Sequence, residues 1–167
     1  MEDIVISADA QLSALECGPL YRFSDWASSV VPPGAGVYTV WDDQGQFIYV
    51  GMSGRGLTRD DVIAMKESGE RRGLVQRLGS HASGRRSSDQ FCVYVADRLV
   101  LPELTEEDIR RIAKGEKALF DNLIKDYIAV HLLYRFVVTE DGQTASGIEA
   151  EVKTGVLSAG KPLLNPG

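Results

Sequence analysis

The chain has 167 residues, of which 44% are hydrophobic and 25% are charged, and its net charge is −6. These values are typical of one globular domain that buries a core without a disulfide or a structural metal. Only Cys17 and Cys92 are cysteines, and nothing in their number or spacing suggests a disulfide framework or a cysteine-bound zinc site. No signal peptide and no membrane-spanning apolar run is visible, so we expect a cytoplasmic protein without a membrane partner.

Charge is segregated along the chain. Residues 55–86 contain eight Arg or Lys and four acids, a net charge of +4, whereas residues 1–33 have a net charge of −4. The acidic total argues against binding of nucleic acid, because surfaces that bind phosphate are usually basic. The basic segment is also typical of an ordinary solvated surface, so its charge alone does not predict phosphate binding.

The first 33 residues predict an N-terminal extension. A short helix is expected over residues 26–30, where Ser24 or Asp25 supplies the cap and Pro32 follows the last turn. We interpret this segment as a helix that covers a sheet, in preference to one that regulates access to the basic residues.

A β-hairpin is predicted next. The aromatic and β-branched runs at 37–41 and 46–50 are typical of strands, and residues 42–45 provide the turn between them. The segment 51–56 then interrupts the sheet with three glycines. A loop of this kind exposes backbone N–H groups that can approach a phosphate closely.

The rest of the chain predicts alternating helices and strands. The expected elements are a helix from Gly73 to Ser83, a strand at 90–96, a long helix from Thr105 through Ile124, a strand at 134–138, a helix at 145–157 and an extended tail at 162–166. A hairpin followed by such an alternation predicts the α+β class, with a small, mainly antiparallel sheet flanked by helices.

Five short segments resemble, in their order along the chain, the signature of the GIY-YIG nuclease superfamily. They are Gly36-Val37-Tyr38, Tyr49-Val50-Gly51, Arg77 with His81, a glutamate at 149 or 151, and Asn165. The resemblance covers residues 36–165. It implies a GIY-YIG-like nuclease domain over residues 34–167.

Each of these residues also has an ordinary structural interpretation. Tyr38 and Tyr49 would pack in a sheet with their hydroxyls near water, His81 would be structural, and Arg77 would lie at the surface. Any one of the five segments is common by itself. Their occurrence together, in the order of the family, favours one shared site.

The chain departs from the family pattern in two places. Glu149 and Glu151 lie sixteen and fourteen residues before Asn165, which is longer than the usual spacing. We favour Glu149 as the metal ligand, because it has the apolar neighbours that the family's glutamate usually keeps. The second departure is an insertion at about residues 97–126, which carries an acidic helix and offers contacts for substrate or partner.

The resemblance implies a metal-dependent endonuclease that uses Mg²⁺ or Mn²⁺. Hydrolysis of a phosphodiester requires an activated water and a counter-charge for the transition state. A hard cation such as Mg²⁺ often takes only one or two protein carboxylates, so Glu149 alone is sufficient. Arg77 offers a planar fork to phosphate oxygens.

The remaining residues of the signature would transfer protons and position the reacting groups. Tyr38 would be the general base, which requires its pKa to fall from about 10. Tyr49 and His81 would orient water or phosphate, and Asn165 would fix the glutamate or a loop. DNA is the expected substrate in preference to RNA, because most of the superfamily acts on DNA.

An alternative is a non-catalytic module that binds nucleic acid or protein on the same scaffold. A protein partner would then dock on the acidic insertion or on the N-terminal extension. The intact set of Tyr38, Tyr49, Arg77 and a glutamate disfavours this alternative. Because the sequence ends two residues after Asn165, we expect a nuclease without an appended DNA-binding domain.

Overall fold

A computed structural model describes residues 7–166 of the chain. Four strands form one antiparallel sheet in the order β1-β4-β2-β3; they are β1 (Tyr21–Arg22), β2 (Gly36–Asp42), β3 (Phe47–Ser53) and β4 (Leu132–Val138). The α-helices of this range are α1 (Ala8–Cys17), α2 (Arg59–Ser68), α3 (Leu74–Ala82), α4 (Gln90–Val95), α5 (Glu106–Ala113), α6 (Leu119–His131) and α7 (Gly142–Lys153). The predicted α+β class, an antiparallel sheet flanked by helices, is confirmed.

The predicted hairpin is confirmed as β2 and β3. At its turn, the carboxylate of Asp42 accepts the N–H groups of Gln44 at 2.9 Å and Gln46 at 2.7 Å, which satisfies backbone donors that the strands cannot pair. In the register of the pair, Tyr38 lies opposite Gly51 and Tyr49 lies opposite Val40. Because side chains alternate along a strand, this register puts both tyrosines on one face of the sheet.

The sheet separates two apolar cores, and helices cover both of its faces. The first core contains Tyr38 and Val40 of β2 and packs against α3, α4 and α6. The second core contains Val37 and Trp41 of the same strand and packs against α1 and α7. Since β2 pairs with strands on both sides and is buried on both faces, it is the centre of the fold.

The free edge of β3 is covered by the extended tail. The N–H groups of Leu163 and Leu164 donate to the carbonyls of Phe47 at 3.1 Å and Ile48 at 2.9 Å. Asn165 continues this pairing with its side chain, which accepts from the N–H of Val50 at 2.8 Å and donates to the carbonyl of Val50 at 2.9 Å. The tail thus occupies the edge that a sheet would otherwise present to solvent.

The strand predicted at 90–96 is wrong, because these residues form α4. The carboxylate of Asp89 accepts the N–H groups of Phe91 and Cys92, so it caps a helix. A short apolar run has no periodicity that separates a strand from a buried helix, and the cap decides here. The helix continues into a π-helical turn and a 3-10 turn at 96–103.

The long helix predicted from Thr105 is two helices, α5 and α6. Its start is confirmed, since Thr105 and Asp108 form a capping box. The chain then breaks at Gly115 and Ala118, whose φ angles of 79° and 60° are left-handed. Residues 97–126 are therefore folded, and α6 packs in the first core.

Two further differences concern short helices. Residues 27–30 form a turn closed by the N–H of Val30 on the carbonyl of Ala27, so the helix predicted at 26–30 is wrong. The extension covers the sheet through α1 instead, where Leu15 is fully buried in the second core. The helix α2 was not predicted, although Thr58 and Asp61 form a capping box at its start.

Among residues 7–166, no helix combines the length and apolar character needed to cross a bilayer.

The close packing of β2 on β4 predicts opposite effects for two Gly→Ala substitutions. A Cβ at Gly36 would lie 2.4 Å from the carbonyl oxygen of Val137, whereas one at Gly147 in α7 would meet no atom within 4 Å. Gly36→Ala should lower the free energy of unfolding by about 1–3 kcal/mol through overpacking. Gly147→Ala should raise it by roughly 0.5–1 kcal/mol, as expected for a helix interior. Urea denaturation followed by circular dichroism measures both, and equal effects of the two substitutions would contradict this packing.

Candidate active site

A cavity of about 300 Å³ opens at the end of β3. Side chains from both sides of the sheet line it, including Tyr38, Tyr49, Arg77 and His81 from the first side and Met52 and Glu149 from the second. The cavity thus brings together five of the six residues predicted from the sequence. The sixth, Asn165, contacts β3 instead.

The position of Tyr38 depends on the glycine opposite it. A Cβ at Gly51 would lie 2.2 Å from the Tyr38 hydroxyl oxygen, so only glycine leaves room for this side chain. The Tyr38 ring crosses Gly51 and reaches α3, with its centroid 6.3 Å from the ring of Tyr49 and 5.3 Å from that of His81. The glycine that ends the second signature triplet therefore has a direct steric function.

A chain of three buried polar side chains lies at the inner wall of the cavity. The Tyr38 hydroxyl is 2.6 Å from Nε2 of His81, and Nδ1 of His81 is 2.8 Å from Oδ2 of Asp89. Each of the three residues is only 2% exposed. Ser80 adds a hydroxyl that donates to the same Asp89 oxygen at 2.7 Å. Among the described residues, no buried side-chain nitrogen or oxygen lacks a hydrogen-bond partner.

Burial controls the protonation states of Tyr38, His81 and Asp89. It raises the pKa of Tyr38 well above its usual value, and the neighbouring Tyr49 adds to the rise. Burial also raises the pKa of Tyr49 to about 12, with a contribution from the charge of Glu149. The expectation that the pKa of Tyr38 falls is therefore wrong for the protein alone, and Tyr38 is protonated at rest.

The pKa values of His81 and Asp89 both shift downward, which leaves a single negative charge, on Asp89. Burial lowers the pKa of His81, and the hydrogen bond to Asp89 only partly opposes it. Burial disfavours the carboxylate of Asp89, but hydrogen bonds from His81 and Ser80 outweigh this and lower its pKa. At neutral pH the resting site therefore contains a neutral tyrosine, a neutral imidazole and a carboxylate.

Of the two candidate glutamates, Glu149 lies at the cavity. It is 9% exposed, and Oε1 is 3.1 Å from Nζ of Lys153, one turn further along α7. Glu151 is exposed and does not line the cavity. The apolar neighbours Ile148 and Val152, which favoured Glu149 in the sequence, are buried in the second core and fix the rotation of α7.

Arg77 is exposed at the mouth of the cavity, on the same helix as His81 and one turn before it. Arg55, in the glycine-rich loop after β3, also lines the cavity and was not singled out in the sequence. Within residues 7–166, neither guanidinium is engaged in an ion pair. The signal for Arg55 was available, since it lies in the loop that follows the second signature triplet.

The predicted role of Asn165 needs correction. Its side-chain amide holds Val50 and contacts neither Glu149 nor a loop. It acts at a distance from the cavity, because Val50 is the neighbour of Tyr49 in β3. Asp89 was missed in turn, although an aspartate that precedes an apolar run is a recognisable helix-cap signal.

Comparisons of the chain with models of protein families, with curated proteins and with solved structures found no match. The resemblance to the GIY-YIG nucleases is therefore carried by the motif residues alone.

The buried neutral state of His81 predicts how stability depends on pH. Because the folded-state pKa lies below the usual 6.5, His81 stabilises the fold above pH 6.5, and this stability is lost as the pH falls through the folded-state pKa. Between about pH 7 and 5 the free energy of unfolding should fall by up to about 1.4 kcal/mol per pH unit. His81→Gln should reduce this dependence on pH, which denaturant titrations at a series of pH values measure.

His131→Gln is the matched control, because the side chain of His131 is 41% exposed. His131→Gln should show the same dependence of the free energy of unfolding on pH as the wild-type protein. Tyr49 and Asp89 also surround His81, but the raised pKa of Tyr49 and the lowered pKa of Asp89 keep their charge states constant over this range, so they do not produce the same slope. An unchanged slope in His81→Gln would show that the pKa of His81 is the same in the folded and unfolded protein, which would contradict burial as the cause of a lowered pKa.

Proposed function

We propose that the protein is a metal-dependent endonuclease that hydrolyses phosphodiester bonds, with DNA as substrate in preference to RNA. The observation that carries this proposal is the convergence of Tyr38, Tyr49, Arg77, His81 and Glu149 on one cavity. These residues come from β2, β3, α3 and α7 and were selected from the sequence by their order. Packing alone does not require a base, a cation and a carboxylate at one opening.

Arg77 supplies the counter-charge for the phosphate. Its guanidinium lies at the mouth of the cavity without an ion pair among the described residues, so its donors are available to a phosphate oxygen. A planar fork binds two oxygens of one phosphate, which also fixes the orientation of the group. Arg55 adds a second positive charge from the loop after β3.

Glu149 is the residue that would hold Mg²⁺ or Mn²⁺. No group of three or more His, Cys, Asp or Glu suited to a metal exists within residues 7–166. A single carboxylate on a cavity wall nevertheless fits the way Mg²⁺ is held in nucleic-acid enzymes, where water and substrate phosphate supply the other ligands. When bound, the metal would neutralise charge on the phosphate and lower the pKa of a water.

Tyr38 acts as the general base in this proposal, with His81 behind it. The hydroxyl of Tyr38 is the only atom of that side chain able to take a proton from a water, and it is 2.6 Å from Nε2 of His81. Tyr38 therefore receives a proton from the attacking water while passing its own to His81. Tyr49 lies beside both rings and restricts the position of the water.

Two features of the proposal rest on the sequence. The preference for DNA follows from the resemblance to the GIY-YIG nucleases. A cytoplasmic location stays a prediction from the sequence, in line with the low number of cysteines. A protein partner at the acidic insertion or the N-terminal extension stays a prediction.

Cleavage assays on paired glutamate variants test the proposal. The purified protein should nick supercoiled plasmid with Mg²⁺ or Mn²⁺, and EDTA should stop the reaction. Glu149→Gln should lower the cleavage rate by about 10²-fold or more, because it removes the only carboxylate expected to hold the metal. Glu151→Gln has the same change of charge on the same helix but lies outside the cavity, so it should cleave nearly as wild type.

Parallel reactions on RNA of the same sequence test the substrate preference. Failure to cleave either nucleic acid with either metal, across salt and pH, would overturn the nuclease proposal. The non-catalytic binding module would then be the better interpretation, and a fluorescence anisotropy titration with duplex DNA would measure it.

Arg77 allows a test of phosphate binding. Arg77→Ala should reduce kcat/KM by about 10²-fold, in the range found when one electrostatic stabiliser is removed. Arg77→Lys should restore part of the rate, because it supplies charge without the two-point geometry. Steady-state cleavage of a short duplex measures both variants. Full activity of Arg77→Ala would show that the guanidinium is only a surface charge.

A further inference from the structure

The carboxylate of Asp89 has two separate sets of partners. One oxygen, Oδ1, accepts the N–H groups of Phe91 at 3.1 Å and Cys92 at 3.4 Å and so caps α4. The other, Oδ2, lies 2.8 Å from Nδ1 of His81 and accepts from the Ser80 hydroxyl at 2.7 Å. A helix cap requires only the first oxygen, which leaves the second to be explained.

We propose that Asp89 is a positioning residue that fixes the tautomer of His81, so that Nε2 is free to accept the proton of Tyr38. This inference rests on the proposed nuclease function and adds to it a residue outside the predicted signature. An ionised carboxylate only accepts hydrogen bonds, so Nδ1 of His81 must carry the hydrogen. Nε2 then has a free lone pair, and at 2.6 Å the Tyr38 hydroxyl donates to it.

The surroundings of His81 leave Asp89 as the group that decides the tautomer. The ring is packed between aromatic side chains, with its centroid 4.4 Å from that of Phe91 and 6.2 Å from that of Tyr49. Its hydrogen bonds among the described residues are to Tyr38 and Asp89. A tyrosine hydroxyl both donates and accepts, so it does not select a tautomer, whereas a carboxylate does.

The backbone before Asp89 supports a specific placement of this side chain. Ser88 has a φ of 67°, in the left-handed region that residues other than glycine rarely adopt. The next residue, Asp89, is buried, with 2% of its surface exposed. Backbone conformations of this kind persist where the surrounding contacts determine them, and they are frequent at functional sites.

The proton transfers balance over one turnover. As the oxygen of the attacking water bonds to phosphorus, its proton moves to the oxygen of Tyr38, and the Tyr38 proton moves to Nε2 of His81. The carboxylate of Asp89 stabilises the resulting imidazolium without taking its proton. The bond from phosphorus to the leaving oxygen breaks, and the proton on Nε2 returns through Tyr38 to solvent or product.

Asp89→Asn separates the two functions of this residue. The amide oxygen can keep the helix cap, since Asn caps helices as well as Asp does. The amide NH₂ then faces Nδ1 and donates to it, which forces the hydrogen of His81 onto Nε2. Tyr38 would lose its proton acceptor while the fold keeps its cap. Asp89→Ser, which also caps a helix but has no carboxylate, serves if Asp89→Asn does not fold.

The tautomer can be measured without any activity. His131→Gln leaves His81 as the single histidine, so protein labelled with ¹⁵N-histidine gives one pair of ring nitrogens in long-range ¹H–¹⁵N spectra. At about pH 8, where His81 is neutral, the wild-type ring should carry its hydrogen on Nδ1. Asp89→Asn should move the hydrogen to Nε2, and Asp89→Ser should give a mixture.

Turnover gives the second readout. Asp89→Asn should lower kcat by about 10²-fold or more with little change in KM, because substrate contacts are unchanged. Combined with Tyr38→Phe, it should cause little further loss, since both act on one proton transfer. Asp61→Asn removes the same charge from the capping box at the start of α2, outside the cavity, and should leave activity unchanged.

The outcomes are distinguishable from those for the nuclease itself. A wild-type His81 with its hydrogen on Nε2, or a tautomer that Asp89→Asn does not change, overturns the assignment of Asp89. A changed tautomer with wild-type kcat also overturns it, while the nuclease proposal stands. An inactive wild-type protein overturns the nuclease and the proton transfer together, whatever the tautomer.

Discussion

The hydrogen bond between the Tyr38 hydroxyl and Nε2 of His81 is the interaction on which the arrangement of the site depends. It joins the central strand to α3, and the other nitrogen of the same ring joins α3 to the start of α4. Its short distance is available only because Gly51 leaves space beneath the tyrosine ring. Sheet, helix and loop are thus held in one geometry by a single imidazole, and the cavity forms where these elements meet.

Burying the linked side chains of Tyr38, His81 and Asp89 is unfavourable unless every polar group has a hydrogen-bond partner. An unpaired polar group in a core costs about 1–3 kcal/mol. The protein meets this condition with Ser80 and His81, which are adjacent in α3, and with the Asp89 carboxylate, which caps α4 at the same time. The arrangement also keeps solvent from Tyr38 on all sides except the cavity. A fold optimised for stability alone would place apolar residues here, so the polar chain is itself an indication of function.

The parts of the structure that follow from local patterns were predictable, and the parts that follow from tertiary contacts were not. The hairpin and α3 were found because alternation, turn residues and the spacing of Leu74, Leu78 and His81 are local signals. Residues 90–96 were assigned to a strand because six apolar residues fit either structure, and the Asp89 cap decided between them. Glu149 could be preferred to Glu151 from the sequence because its apolar neighbours Ile148 and Val152 determine which side of α7 is buried. The role of Asn165 was missed because its partner, Val50, is 115 residues away in the sequence.

The tail that covers β3 has a consequence for how the chain folds during synthesis. The strand β3 is made early, but its outer edge pairs with Leu163, Leu164 and Asn165. Until residue 165 has left the ribosome, that edge presents unpaired backbone groups, which are a template for association with other chains. The same order of synthesis delays assembly of the cavity, because Glu149 arrives long after Tyr38. A nascent chain therefore carries the tyrosines and α3 without the carboxylate, and the cavity is complete only when the polypeptide is free to close its own sheet.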